Sequence, residues 1–413
     1  MKDILLFRNW FRLALINFLL AASIGAILRF AFVQEIPGLQ FRPFLYGHSH
    51  VAMLGWVYLG LFTILLTQLP IQVDKGFIGL FWATQFSVFG MLLAFPIQGY
   101  GPISIAFSSL HVLLSYVFIW RYLKCVRKHV KPVFGPFSFI RTGLFFLFVS
   151  TIALWAMGPI MIMDLSHKPI YYMMVQAFLH FQFNGWFVFT CLGLLFNFLE
   201  KQGIQLPISK LRLFFRLLLI SCFLTYALAV TWTSPRDFLF LINSIGAGLQ
   251  FIAALLFIKL LWPFRQEIIK ILGSGWSGRF FKLAILCFIA KIVIQTAVIV
   301  PFLGTVAYTI RNFVIGYLHL ILLGFVAAIL MAFAERQGLL KLDNSLSRIG
   351  SGFFFFGFLF SEFLLFGQGL MLWAGLGFLP FYYIGLFSVS ILLPIGIFLI
   401  LFGNRGSQNW NVK

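Results

Sequence analysis

Acidic side chains are nearly missing from this sequence. It has ten aspartates and glutamates in 413 residues, against thirty lysines and arginines. Charged residues of both signs make up only 10% of the chain, which excludes an ordinary soluble domain, where roughly a quarter are charged. Cysteine is scarce as well. Cys125, Cys191, Cys222 and Cys287 are far apart, with no Cys-x-x-Cys and no Cys-x-x-Cys-His segment, so covalent haem attachment is excluded. They read as buried apolar side chains. No nucleotide motif, quinol site or docking patch for a soluble electron carrier is legible.

What is present is hydrocarbon: 62% of the residues are hydrophobic. Apolar runs of about 20 residues, the length that crosses a bilayer as helix, recur along the whole chain. Twelve are read, over 12–33, 45–69, 77–96, 103–124, 139–163, 170–199, 210–232, 238–262, 278–303, 308–334, 349–376 and 380–402. The first follows Lys2, Arg8 and Arg12 like a signal peptide. It is too long for one and carries Arg29 near its far end, so it reads as an uncleaved helix. Pro96, Pro102, Pro159 and Pro301 fall near helix ends, and Pro394 predicts a kink in the last span.

The net charge of +20 is not a nucleic-acid signature, because it alternates by side. Arg121 to Arg141, Lys201 to Arg216, Lys259 to Arg279, Arg336 to Arg348 and both termini fall on one side. The other side holds little beyond Arg42, Lys168, Arg236 and Arg311. That bias places both termini in the cytoplasm, and the basic surface meets anionic lipid.

Three spans carry one phrase: His50-Val-Ala-Met-Leu-Gly55-Trp56, His180-Phe-Gln-Phe-Asn-Gly185-Trp186 and His319-Leu-Ile-Leu-Leu-Gly324-Phe325. The chain has only seven histidines. The intervals are 130 and 139 residues, four spans each time. This predicts a single transmembrane domain over 1–413, built from four-helix repeats at about 1–135, 136–265 and 266–413. Each histidine then lies on the second helix of its unit, in the outer half of the membrane. Titratable groups at such depth are costly and mark function, and imidazole ligates haem iron and copper. Interhelical hydrogen bonding is the alternative. The glycine would admit a neighbouring helix or a flat macrocycle. His48, two residues before His50, is about 200° away around a helix, so the two rings face opposite ways. His48 is a second ligand candidate or a cap at the membrane surface. His111, on the fourth span, is a ligand or a packing residue. His129 and His167 read as solvated loop residues.

The pattern resembles the haem–copper oxidase subunit I superfamily, whose twelve helices form a pseudo-threefold array with key histidines on helices 2, 6 and 10. Tyr46-Gly-His48-Ser-His50-Val-Ala-Met-Leu-Gly55-Trp56 is also similar to the signature of NnrS-type haem- and copper-containing membrane proteins tied to nitric-oxide stress. The resemblance implies an all-α polytopic membrane protein with twelve transmembrane helices in a 4+4+4 oxidase-like bundle. It implies a b-type haem held by His50, with His48 as runner-up, and by His319. It also implies copper at His180, and a bacterial cytoplasmic membrane. An electron-transfer or respiratory partner subunit is a further implication.

The departures are equally plain. The seventh span has no histidine pair, helix 10 reads Tyr317-Leu-His319, and Asn184 stands where the family has a tyrosine. Reduction of oxygen to water is therefore not implied. A bis-histidine haem, or a reduced metal site using His111 and His180, stays open. Arg29 is a candidate for a haem propionate, with snorkelling to the interface as the alternative; Arg42 is a weaker one. Gln182 and Asn184 flank His180 and are expected to orient it. Lys291, Gln295 and Glu362 lie inside apolar spans; a Lys291–Glu362 ion pair is expected, or membership of a proton path. Three functions fit the sequence: a haem-binding redox or nitric-oxide/metal-stress protein, a permease binding a transition metal, and a non-catalytic oxidase-like scaffold.

Overall fold

The computed structural model describes residues 2–405, which contain helices and turns and no strand. The C-terminal tail beyond them, counted above with the basic side, lies outside the described residues. These residues form twelve helices long and apolar enough to cross a membrane. They are α1 Asp3–Phe30, α2 Phe41–Thr67, α3 Lys75–Gln98, α4 Pro102–His129, α5 Pro136–Ile162, α6 Pro169–Lys201, α7 Ile208–Thr231, α8 Asp237–Leu272, α9 Trp276–Ala297, α10 Arg311–Arg336, α11 Ser345–Trp373 and α12 Tyr382–Gly403. The protein is an all-α, multi-pass membrane protein.

Each expected span is met by one helix, and the differences have physical causes. α1 begins nine residues before the apolar run does, because its arginines find partners. Arg8 donates to the Gly338 carbonyl at 3.1 Å, and Arg12 donates to the Asn404 carbonyl. α8 runs past residue 262 through a tight turn at Trp262–Phe264 into Arg265–Leu272, which buries Ile268 and Leu272. Its charged face hides that extension from a hydropathy reading. α9 stops at Ala297, and Pro301 opens a separate short helix, Pro301–Thr309, since proline suits a first helical turn. Pro394 breaks α12 as expected. The helix is interrupted at Ile391, between Tyr382–Ser390 and Leu392–Gly403, where proline cannot bond back to Ser390.

Two compact units emerge. The first contains α1–α4, α11 and α12, with the start of α9 and the end of α10. Its core is aromatic: Trp10 stacks on Phe81 at 4.4 Å, Trp56 on Phe18 at 4.6 Å and Phe62 on Phe118 at 4.4 Å. α11 and α12 cross at Gly350 and Gly396, where an added Cβ on Gly350 would lie 2.5 Å from the Gly396 carbonyl oxygen. Small residues at such a crossing allow close backbone packing in lipid. Asp74 caps α3 through the Phe77 amide at 2.9 Å and pairs with Arg121. The second unit contains α5–α8 and most of α9 and α10. α5 lies against α6 along Gly143, Gly185 and Gly193. Asn243 and Ser244 of α8 tie down the end of α9 by donating to the carbonyls of Val298 and Ile299.

Candidate functional site: histidines at three π turns

Each histidine phrase has the same backbone, and it is not a plain α-helix. α2 turns π-helical over Val51–Val57, α6 over Phe181–Phe187 and α10 over Leu320–Ala327. Each π segment starts at the residue after the histidine. Such turns lengthen the hydrogen bonds to the fifth residue back and cluster at functional sites. The three helices share a second feature. Before the histidine, one small residue is buried in each: Gly47, Ala177 and Gly316, always three positions earlier. After the histidine nearly every residue is buried. The imidazole therefore stands where an open half of the helix meets a closed half. Gly55 and Gly185 belong to the closed half. A Cβ on Gly55 would lie 2.8 Å from Val88 Cγ1, and one on Gly185 would strike the Phe146 ring. Asn17 of α1 donates to the Gly55 carbonyl at 3.2 Å, supplying a side-chain partner inside the altered ladder.

In the first unit, His50 Nδ1 bonds the Tyr46 carbonyl one turn back at 2.8 Å. Its ring stacks on Phe95 at 4.0 Å and meets the edge of Tyr100. Among the described residues, Nε2 has no hydrogen-bond partner. A backbone carbonyl at one ring nitrogen fixes the tautomer and leaves the other as a ligand. His48 turns the opposite way, as the helical spacing predicts. Its Nδ1 bonds the Ala21 carbonyl of α1 at 2.8 Å, and its ring fills the space left by Gly25, 2.9 Å from where a Cβ would stand. The cap reading is thereby corrected: His48 is wedged between α2 and α1. His111 is buried beside Tyr58, with ring centroids 4.7 Å apart, and among the described residues neither His111 Nε2 nor Tyr58 Oη has a partner. Arg29 lies within electrostatic reach of both His48 and Glu362. Arg42 is exposed.

In the second unit, His180 is closed. Its Nε2 donates to the Cys222 carbonyl of α7 at 2.7 Å, and Nδ1 receives Asn184 Nδ2 at 3.4 Å. Tyr317 Oη reaches Asn184 Oδ1 at 3.4 Å and Gln295 Oε1 at 2.9 Å. Lys291 Nζ bonds Gln250 Oε1 at 3.4 Å. His319 ends the α-helical part of α10, at the same place in its phrase as the other two. His129 and His167 are exposed, as the sequence suggests.

Two expectations change. Gln182 does not orient His180; its amide donates to Ser150 of α5 at 2.9 Å. Asn184 alone of the two flanking amides reaches the imidazole. Within its own unit Lys291 bonds Gln250, not an acid, and among the described residues both carboxyl oxygens of Glu362 lack hydrogen-bond partners. Tyr317, Gln250 and Tyr58 carried no role in the sequence reading. Tyr317 had a signal, since Tyr317-x-His319 occupies the positions of His48-x-His50. Gln250 and Tyr58 had none.

Among the described residues, no three histidine, cysteine, aspartate or glutamate side chains gather closely enough to hold a metal ion. No protein-family model matches the chain, and no curated protein matches it either.

Proposed function

We propose that this chain is a haem-binding integral membrane protein with a redox or nitric-oxide/metal-stress role, resembling a degenerate oxidase subunit I. One observation carries the reading. His50 sits at the floor of the open half of α2, with Nδ1 fixed on the Tyr46 carbonyl and Nε2 unbonded. That is the donor arrangement an axial haem ligand needs. His48 has the same bond pattern but is wedged against Gly25, which makes it the weaker ligand. Arg29, within electrostatic reach of His48, is the cation for a propionate. His319 is the candidate that the sequence offers for a second axial position. Bound at His50, a b-type haem would supply reversible one-electron chemistry. The chain's own part is to hold the imidazole tautomer and exclude water with Phe95 and Tyr100. The proposed setting is a bacterial cytoplasmic membrane with both termini inside.

Copper at His180 fits less well, because both nitrogens of that ring are engaged, and no step is assigned to it. The same closed ring favours a second reading: a scaffold that keeps an oxidase-like backbone without its chemistry. A reduced-minus-oxidised optical spectrum of the purified protein, with metal analysis on the same sample, separates the two. A Soret band with split visible bands, lost in His50→Ala, supports the haem reading. A colourless, metal-free protein of normal abundance after its expression with added haem precursor leaves only the scaffold.

A further inference from the structure

Lys291 places its amine inside a membrane helix, 2% exposed, without an acid in its own unit to pair with. The acidic residues of that unit are Asp164, Glu200, Asp237 and Glu267, all in a connection or near a helix end. Around Lys291, five helices assemble a polar cluster: His180 and Asn184 from α6, Cys222 from α7, Gln250 from α8, Gln295 from α9 and Tyr317 from α10. Lys291 lies within electrostatic reach of both His180 and Cys222. It shares a face of α9 with Gln295, four residues on.

The hydrogen bonds of this cluster are lopsided. The Cys222 carbonyl, His180 Nδ1 and Gln250 Oε1 each already receive a donor, and the single hydroxyl proton of Tyr317 serves one of Gln295 Oε1 and Asn184 Oδ1, with Gln295 the nearer at 2.9 Å. The donors left unspent are Gln250 Nε2, Gln295 Nε2 and two of the three N–H bonds of Lys291, and they outnumber the one amide oxygen that the Tyr317 proton leaves over. Unspent buried donors are costly, and a buried cation without a counter-charge costs more. One small ligand removes both costs: a negatively charged one that accepts several hydrogen bonds. We infer that this cluster is an intramembrane binding site for a small monovalent anion, a halide or a compact oxyanion. Lys291 supplies the charge, and the Gln250 and Gln295 amides supply the hydrogen bonds. The inference is independent of haem at His50, which rests on the other unit.

The test is thermal unfolding of the full-length protein in detergent. Sodium chloride and sodium nitrate are titrated against sodium gluconate at constant ionic strength and pH. A ligand bound only by the folded state raises the midpoint with its concentration. The expected result is a saturable rise in chloride or nitrate and none in gluconate, whose anion is too large. Lys291→Arg keeps the rise and Lys291→Met loses it. Gln295→Leu, which leaves the lysine in place, shifts saturation to higher concentration. Equal midpoints in all three salts overturn the inference, because an amine that has simply given up its proton predicts that result. So does a saturable rise that persists unchanged in Gln295→Leu and Lys291→Met. If Lys291→Met does not fold, Gln250→Leu with Gln295→Leu decides the matter in the same way.

Discussion

α2 and α6 carry the same phrase, yet they leave their histidines in opposite states. Both have a small buried residue three positions before the ring, a π turn directly after it, a glycine under close packing and a buried tryptophan. His50 keeps one nitrogen unspent, while His180 spends both. The residue four positions on differs: Leu54 in α2, Asn184 in α6. Leucine offers nothing to an imidazole, and asparagine donates to it. Across the helix, the Cys222 carbonyl takes the other nitrogen of His180, whereas His50 is satisfied by its own helix. A repeated backbone thus presents a histidine, and its neighbours decide whether one ring nitrogen stays unspent.

The largest expected effect breaks the comparison outright. His50→Ala loses the Soret absorbance of the purified protein, while His180→Ala keeps its haem content within about twofold; pyridine haemochromogen per mole of protein reads both. If His180→Ala loses the pigment and His50→Ala does not, the assignment is reversed. The next effect exchanges the deciding residue. Leu54→Asn brings a donor to His50 and lowers haem affinity by about tenfold, the usual scale for a disturbed ligand neighbour. Asn184→Leu leaves haem content unchanged and frees His180 Nδ1. Titration with zinc then detects a site that the parent protein lacks.

Stability changes are smaller. Gly185→Ala forces a methyl into the Phe146 ring and costs about 1–3 kcal/mol. Gly55→Ala meets the more yielding Val88 and costs less, as the unfolding midpoints of the two variants show when measured side by side. The smallest effect belongs to Gln182→Leu. It removes the bond to Ser150 and costs about 1 kcal/mol, without altering the pigment or the anion response. A loss of pigment there would tie Gln182 to the imidazole after all.

Much of this was legible in the sequence. Twelve apolar runs gave twelve helices because crossing length and hydropathy are local properties. Pro394 announced the break in α12 because a missing N–H acts on its own helix. The opposite facing of His48 and His50 followed from helical spacing. The π turns were not legible. His-x4-Gly-aromatic is compatible with an α-helix, and the extra residue per turn is stabilised by contacts such as Asn17 on Gly55. Gln182 misled because adjacency in sequence places it beside His180 along the chain but on another face. Gln250 as a partner of Lys291 was hidden because opposite charges in apolar runs suggest each other whatever their surroundings.

The sequence by itself determined the class of the protein, the number of its spans and the place of three histidines along them. Composition and periodicity act over one helical turn or one membrane width. Only the tertiary structure decided which imidazole nitrogen stays open, and that the donors around Lys291 outnumber its acceptors. The partners that settle those points lie 42 residues away for His180 and Cys222 and 133 for Asn184 and Tyr317. No local pattern records a carbonyl brought in from that distance.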